Sequence, residues 1–149
     1  MAKNTTITPQ ERKERLQALA RALGFHRFII LPHPSNQLSK NGRAFYLQEA
    51  RLKDKLQAET MNQLQLMKNK GAAPKFYHLM WVYKGTRPDD DNVITRCKYA
   101  RDTIAKFYDF DDRDLQIAGF PCVDFIHDKA LAGFVIISFF DFPIQTKTA

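Results

Sequence analysis

The stretch KFYHLMWVYK (75–84) constrains the fold of this chain more than any other. Read as a strand, it carries apolar groups on both faces. Phe76, Met80 and Val82 lie on one, and Tyr77, Leu79, Trp81 and Tyr83 on the other. Such a strand belongs inside a sheet with helices packed on it. His78 falls in the first set, where a histidine is expected as a satisfied structural side chain rather than a ligand.

The flanking segments supply those helices and further strands. TPQERKERLQALARALG (8–24) predicts a first helix, with Thr8 as cap, Pro9 at the first helical position, Glu11 completing a capping box and Gly24 as the stop. Leu16, Leu19, Ala20 and Leu23 form its apolar stripe. RFIILPHPSN (27–36) predicts a short strand ended by two prolines, followed by a polar loop with an Asn-Gly turn and two cations, Lys40 and Arg43. A long helix is expected from about Phe45 to Asn69, ended by Gly71. Another is expected from Asn92 to about Phe107, burying Val93, Cys97, Ala100 and Ile104. LQIAGFPCVDF (115–125) and LAGFVIISFF (131–140) read as a β-hairpin around the polar IHDKA turn. The order is α-β-α-β-α-β-β, a single compact α+β domain with a small mixed sheet.

A chain of 149 residues buries enough surface for one core without staples. Its 44% hydrophobic content and 12 phenylalanines fit a globular protein. The most apolar run, 131–140, is too short to span a membrane and lies at the wrong end for a signal peptide. Cys97 and Cys122 form no metal-binding spacing and are expected as reduced cysteines of a cytoplasmic protein.

Charge is distributed unevenly. Residues 1–88 carry a balance of +11 and residues 89–149 a balance of −4, within a net charge of +7. A basic body around an acidic focus suits a polyanion-binding surface with a metal site set in it. The acidic focus consists of RPDDDN (87–92) and DFDDRD (109–114). Adjacent carboxylates repel one another, so a cation from the protein, water or a metal ion must compensate them. A helix cap accounts for one acid, with Asp91 well placed for it, and Arg113 is an internal partner for the second cluster. An extended backbone would point Asp89 and Asp91 to the same face at a strand end, and a sheet could bring Asp111 and Asp112 to meet them. Converging carboxylate oxygens suit Mg²⁺ or Mn²⁺. DDDNVITRCKYA lacks the glycine and the final glutamate of an EF-hand loop, and the chain has no glycine-rich phosphate loop or GxSxG elbow.

R-P-D-x-D-N at a strand end, a helix, and then D-D before a β-hairpin resembles the RusA family of Holliday junction resolvases. LPHPSN (31–36) independently matches the family's proline-rich P-x-P-S-N turn. The resemblance covers roughly residues 27–141. It leaves residues 1–24 as an N-terminal extension with one helix, ahead of a RusA-like nuclease domain over 25–149. By position it implies that Asp89, Asp91 and Asp112 bind metal and act in catalysis, with Asp90 and Asp111 as neighbours and Asn92 positioning the loop or contacting substrate. The family's catalytic lysine falls on Thr95, a departure. Lys98 is the substitute, seven residues after Asp91 and on nearly the same helical face; KYARD (98–102) repeats the family's K-x-x-x-D spacing, and Arg96 and Arg101 are alternatives.

The resemblance implies a Mg²⁺-dependent endodeoxyribonuclease, a homodimer cutting four-way DNA junctions symmetrically. Lys40, Arg43, Lys84, Arg87, Asn92 and Arg96 are the expected DNA contacts. Two alternatives use the same residues: a non-catalytic branched-DNA-binding module with a degenerate site, and a nuclease acting on other branched DNA.

Overall fold

β2 (Phe76–Tyr83) runs through the middle of a five-stranded sheet, paired along both edges. On one edge it pairs antiparallel with β5 (Phe134–Phe140), which pairs antiparallel with β1 (Phe28–Pro32). On the other it pairs in parallel with the two-residue β3 (Gln116–Ile117) and with β4 (Val123–His127). A strand paired on both edges keeps its amides satisfied when both faces are covered, and Tyr77 to Val82 are all buried. The structure, a computed structural model, describes residues 7–38, 46–117 and 123–142. Among these residues four helices cover the sheet, forming one α+β domain.

The two faces of β2 divide as its sequence predicts. Tyr77, Leu79, Trp81 and Tyr83 join a core with α2 (Tyr46–Leu66), α3 (Asp90–Arg96) and α4 (Lys98–Phe107), through Leu56, Leu64, Val93, Cys97, Ala100 and Ile104. Met80 and Val82 face α1 (Pro9–Ala22), where Leu16, Ala20 and Phe25 cover them together with Ile136 and Leu131. Each fully buried Leu, Ile or Val contributes about 1.5–3 kcal/mol. The first helix, outside the span of the resemblance, therefore closes the second face of the sheet.

α1 is framed by its own sequence. The Thr8 hydroxyl accepts the Glu11 amide N–H at 3.1 Å and donates to the Glu11 carboxylate at 3.2 Å. Gly24 takes φ 86°, so the Phe25 amide reaches back to the Ala20 carbonyl at 3.0 Å and its ring drops onto the sheet.

Three expectations are corrected. β4 and β5 do not form a hairpin with each other; both pair with β2, and β5 lies between β2 and β1. β2 needs partners on both edges, and the turn after His127 carries the chain across it. Within that turn Asp128 Oδ1 accepts the amides of Ala130 and Leu131 at 2.9 and 3.1 Å, and β5 starts only at Phe134. The long second helix ends at Leu66 rather than at about Asn69. Gly71 instead sits at φ 58° where a Cβ would stand 3.0 Å from the Arg27 guanidinium, which donates to the carbonyls of Lys70 and Ala72. The third correction is a break in the helix after the aspartates. No helix among the described residues is long and apolar enough to cross a membrane.

Candidate functional site

The first aspartate cluster opens a helix and does not extend a strand. β2 stops at Tyr83, and Gly85 at φ 71° turns the chain away. Asp89 is the N-cap of α3: its Oδ1 accepts the Asn92 amide at 2.9 Å. Asp90 and Asp91 occupy the first turn, where the helix dipole favours negative charge. The expected cap at Asp91 is thus corrected to Asp89, and the strand alternation expected to align Asp89 with Asp91 does not apply. Asn92 supplies the capped amide, and its Oδ1 accepts from Arg96 Nη1 at 3.4 Å.

The helical face expected to link Asp91 to Lys98 is interrupted. α3 ends at Arg96, Cys97 takes φ −92° and ψ 4°, and α4 begins at Lys98. Cys97 is fully buried and its thiol is pushed up to about 12, which keeps it protonated and inert. Cys122, Lys40 and Arg43 lie outside the described residues. Arg96 turns inward: its Nε and Nη2 donate to the Pro34 carbonyl at 2.8 and 2.6 Å, and its guanidinium stands 4.8 Å from the Trp81 ring. The proline turn of LPHPSN is thereby tied to the helix that follows DDDN.

The second cluster divides into two parts. Asp109, just past the Tyr108 C-cap of α4, takes φ 55°, and the Phe110 amide reaches the Ala105 carbonyl at 3.0 Å. Asp111 is engaged by Arg113, whose Nη2 lies 2.7 Å from its Oδ2; the guanidinium holds that carboxyl well below the usual range. Arg113 is therefore the internal partner expected for this cluster, through Asp111. Asp112 looks the other way, with its Oδ2 3.8 Å from Arg101 Nη2. Burial pushes the Asp102 carboxyl up, Asp112 adds in the same sense, and Lys98 and Arg101 oppose. One Asp102 oxygen, Oδ1, is buried without a hydrogen-bond partner among the described residues. Sequence reasoning gave Asp102 no role; its signal was the KYARD spacing, which placed it one turn after Lys98.

A divalent cation fits part of this arrangement. The donors are hard carboxylate oxygens, and the orphaned Asp102 Oδ1 beside Asp112 is the kind of group a cation satisfies. Among the described residues no group of three His, Cys, Asp or Glu side chains is gathered closely enough to hold a metal by itself. Asp89, Asp91 and Asp112 thus do not form a closed cage, and Mg²⁺ commonly uses one or two carboxylates with water and substrate phosphates.

Beside Asp89 lies a cleft of about 370 Å³, lined by His33, Trp81, Tyr83, Lys84, Arg87 and Arg96, with Pro88 at its rim. His33 stacks on Trp81 with ring centroids 3.6 Å apart and planes 10° from parallel. Its Nε2 lies 2.9 Å from the Phe134 carbonyl, so that nitrogen carries the proton. Burial lowers the imidazole to about 4, and it is neutral at physiological pH. Arg87 stands over the Phe125 ring at 4.3 Å, and Tyr83 meets Phe125 edge-on at 6.2 Å. Neither the models of known protein families nor the curated proteins include a match to this chain.

Proposed function

We propose that this chain is a metal-dependent, structure-selective endodeoxyribonuclease that resolves four-way DNA junctions by symmetric phosphodiester hydrolysis. The observation that carries this reading is the acidic pair at α4: Asp112 beside Arg101 at 3.8 Å, and Asp102 with one buried oxygen orphaned and its charge influenced by Asp112, Lys98 and Arg101. Such a pair within a chain of net charge +7 suits a cation and a phosphate together. The resemblance implies Asp89, Asp91 and Asp112 as ligands; because they are not gathered into one cage, one or two of them would hold Mg²⁺ or Mn²⁺ together with water and the substrate phosphate, with Asp102 near Asp112. The bound ion supplies stabilisation of the charge developing on phosphate and a lowered pKa for water.

The chain's own groups position the substrate. Lys98 and Arg101 place positive charge beside the acids, where a phosphate's charge develops. Lys84 and Arg87 would bind the backbone next to Asp89. A homodimer in the cytoplasm would present two such sites to the two strands cut symmetrically.

A synthetic four-way junction and a matched linear duplex, incubated with the protein and Mg²⁺, Mn²⁺ or EDTA, test the proposal. Symmetric metal-dependent nicking of the junction, abolished in Asp91→Asn and Asp112→Asn, is expected. Cleavage of flaps in preference to junctions would reassign the substrate to other branched DNA. A second reading, a junction-binding module without cleavage, is favoured by the engagement of Asp89 as a helix cap and by Thr95 at the lysine position. Tight junction binding with no nicking in either metal would select it.

A further inference from the structure

We infer that the cleft beside Asp89 is a nucleotide subsite, taking one unstacked nucleotide of a DNA strand with its phosphate on Lys84 and Arg87 and its base among the aromatic side chains. The inference rests on the DNA-directed reading above and names what that reading does not: the place where a strand leaves the stack.

The lining chemistry carries the inference. Lys84, Arg87 and Arg96 face the cleft, and no carboxylate lines it, although the acids begin one residue beyond Pro88. A cavity with three cations and no counter-charge calls for an anionic ligand. A volume of about 370 Å³ exceeds the needs of a bare phosphate and falls in the range of small-molecule sites. Part of the remaining wall is aromatic, from His33, Trp81 and Tyr83. Arg87 is exposed yet held over Phe125, and such a guanidinium presents a surface on which a base can stack. Tyr83, which lines the cleft, is backed by edge-on contacts to Phe125 and His127, 6.2 and 5.3 Å from their centroids. The floor is rigid: Trp81 is only 1% exposed and is fixed by His33 and Arg96. Ala132 and Gly133 also line the cleft, and a Cβ added to Gly133 would meet nothing within 4 Å. That leaves room for a planar group to enter.

Duplex DNA keeps its bases stacked, whereas a branch point exposes bases that can be splayed out cheaply. Binding one of them next to Pro88 would hold the adjoining phosphate near the acidic stretch that starts at Asp89.

Trp81 is the only tryptophan of the chain, so its emission reports on the cleft directly. The full chain is titrated with oligothymidylate, with the four-way junction and with inorganic phosphate, alongside Arg87→Ala, Arg87→Lys and Lys84→Ala. Circular dichroism verifies that these exposed-site variants fold. Saturable emission changes are expected with oligothymidylate and with junction, and none with millimolar phosphate. Affinity should fall about tenfold in Arg87→Ala, with only partial recovery in Arg87→Lys, because an ammonium cannot stack on a base. An equal emission change with phosphate alone would reduce the cleft to a simple anion site and overturn the inference. Junction cleavage with unmoved Trp81 emission and parental affinity in the variants would overturn it while leaving the nuclease reading intact. An Arg87-dependent emission change with oligothymidylate, without cleavage in any metal, would uphold the nucleotide site and remove the nuclease reading.

Discussion

Arg96 grips the carbonyl of Pro34 with two N–H groups, Nε at 2.8 Å and Nη2 at 2.6 Å, across 62 residues of sequence. The guanidinium also stands 4.8 Å from the Trp81 ring. One side chain thus fastens the proline turn after β1 to the helix that begins at the aspartates, over the central strand. Hydrogen bonds from a charged donor contribute about 1.5–3 kcal/mol each, and the two share one acceptor. Arg96→Ala should therefore lose about 2–3 kcal/mol in urea unfolding. Arg96→Lys should recover less than half of that, since a point charge cannot reproduce the fork. Parental stability in Arg96→Ala would show that the tie holds nothing.

Asp89 allows its two roles to be separated by choice of substituent. Asn caps a helix about as well as Asp, so Asp89→Asn should unfold within a few tenths of a kcal/mol of the parent. Asp89→Ala should lose about 1 kcal/mol. Both should lose metal-dependent nicking under the proposed function. An active Asp89→Asn enzyme would leave Asp89 as a cap and nothing more.

What could be read from the sequence here is what is local. The alternation in β2 assigns its side chains to two faces because a strand's period is fixed by its backbone, and both faces appear as expected. The Thr8 cap and the Gly24 stop are equally local. Strand pairing is not: β4 and β5 are neighbours in the chain, yet each reaches β2 instead, because β2 has two edges to satisfy. The break at Cys97 was invisible for another reason. Val93, Cys97, Ala100 and Ile104 keep helical spacing across it, and all four are buried. In the candidate site, any of three consecutive aspartates could cap a helix, and the structure places the cap on Asp89. Asp102 is separated from Asp112 by ten residues and a cap, and only the packing of the DDRD turn against α4 brings them together.

The role of α1 can be tested by truncating a single side chain. Leu16 is 1% exposed and packs with Val82 and Leu131 on the face that the other helices leave open. Leu16→Ala should destabilise the protein by about 2–4 kcal/mol, in line with buried leucine truncations. A loss below about 0.5 kcal/mol would mean that the helix is not needed to close that face.

Histidine burial sets an acid limit on stability. His33 is lowered to about 4 by burial, and His78 is lowered by the same cause despite its Asp124 partner. The unfolded chain takes up these protons near pH 6.5 and the folded one resists them. Stability is therefore complete above about pH 6.5 and lost as pH falls toward 4. Thermal unfolding midpoints should drop between pH 7.5 and 4.5, and the drop should be shallower in His33→Gln. Superimposable profiles for the two proteins would mean that the stacked imidazole titrates normally.

His78 and Asp124 form a buried pair on the α1 face, with Nε2 2.8 Å from Oδ2 and relative exposures of 0% and 6%. Nε2–H donates to the carboxyl, while His78 Nδ1 and Asp124 Oδ1 have no partner among the described residues. Ser138, opposite His78 in the β2–β5 register, buries an Oγ that is likewise without a partner. The pair is thus needed more for mutual compensation than for net stability. His78→Leu alone should cost about 3–5 kcal/mol, because it strands the Asp124 carboxyl in the interior. The double change His78→Leu with Asp124→Leu should recover most of that loss, and Ser138→Ala should be neutral or slightly stabilising. Urea unfolding of the two single variants and the double closes the cycle. Additive losses in the double variant would show that the two side chains are stabilised by other partners and not by each other.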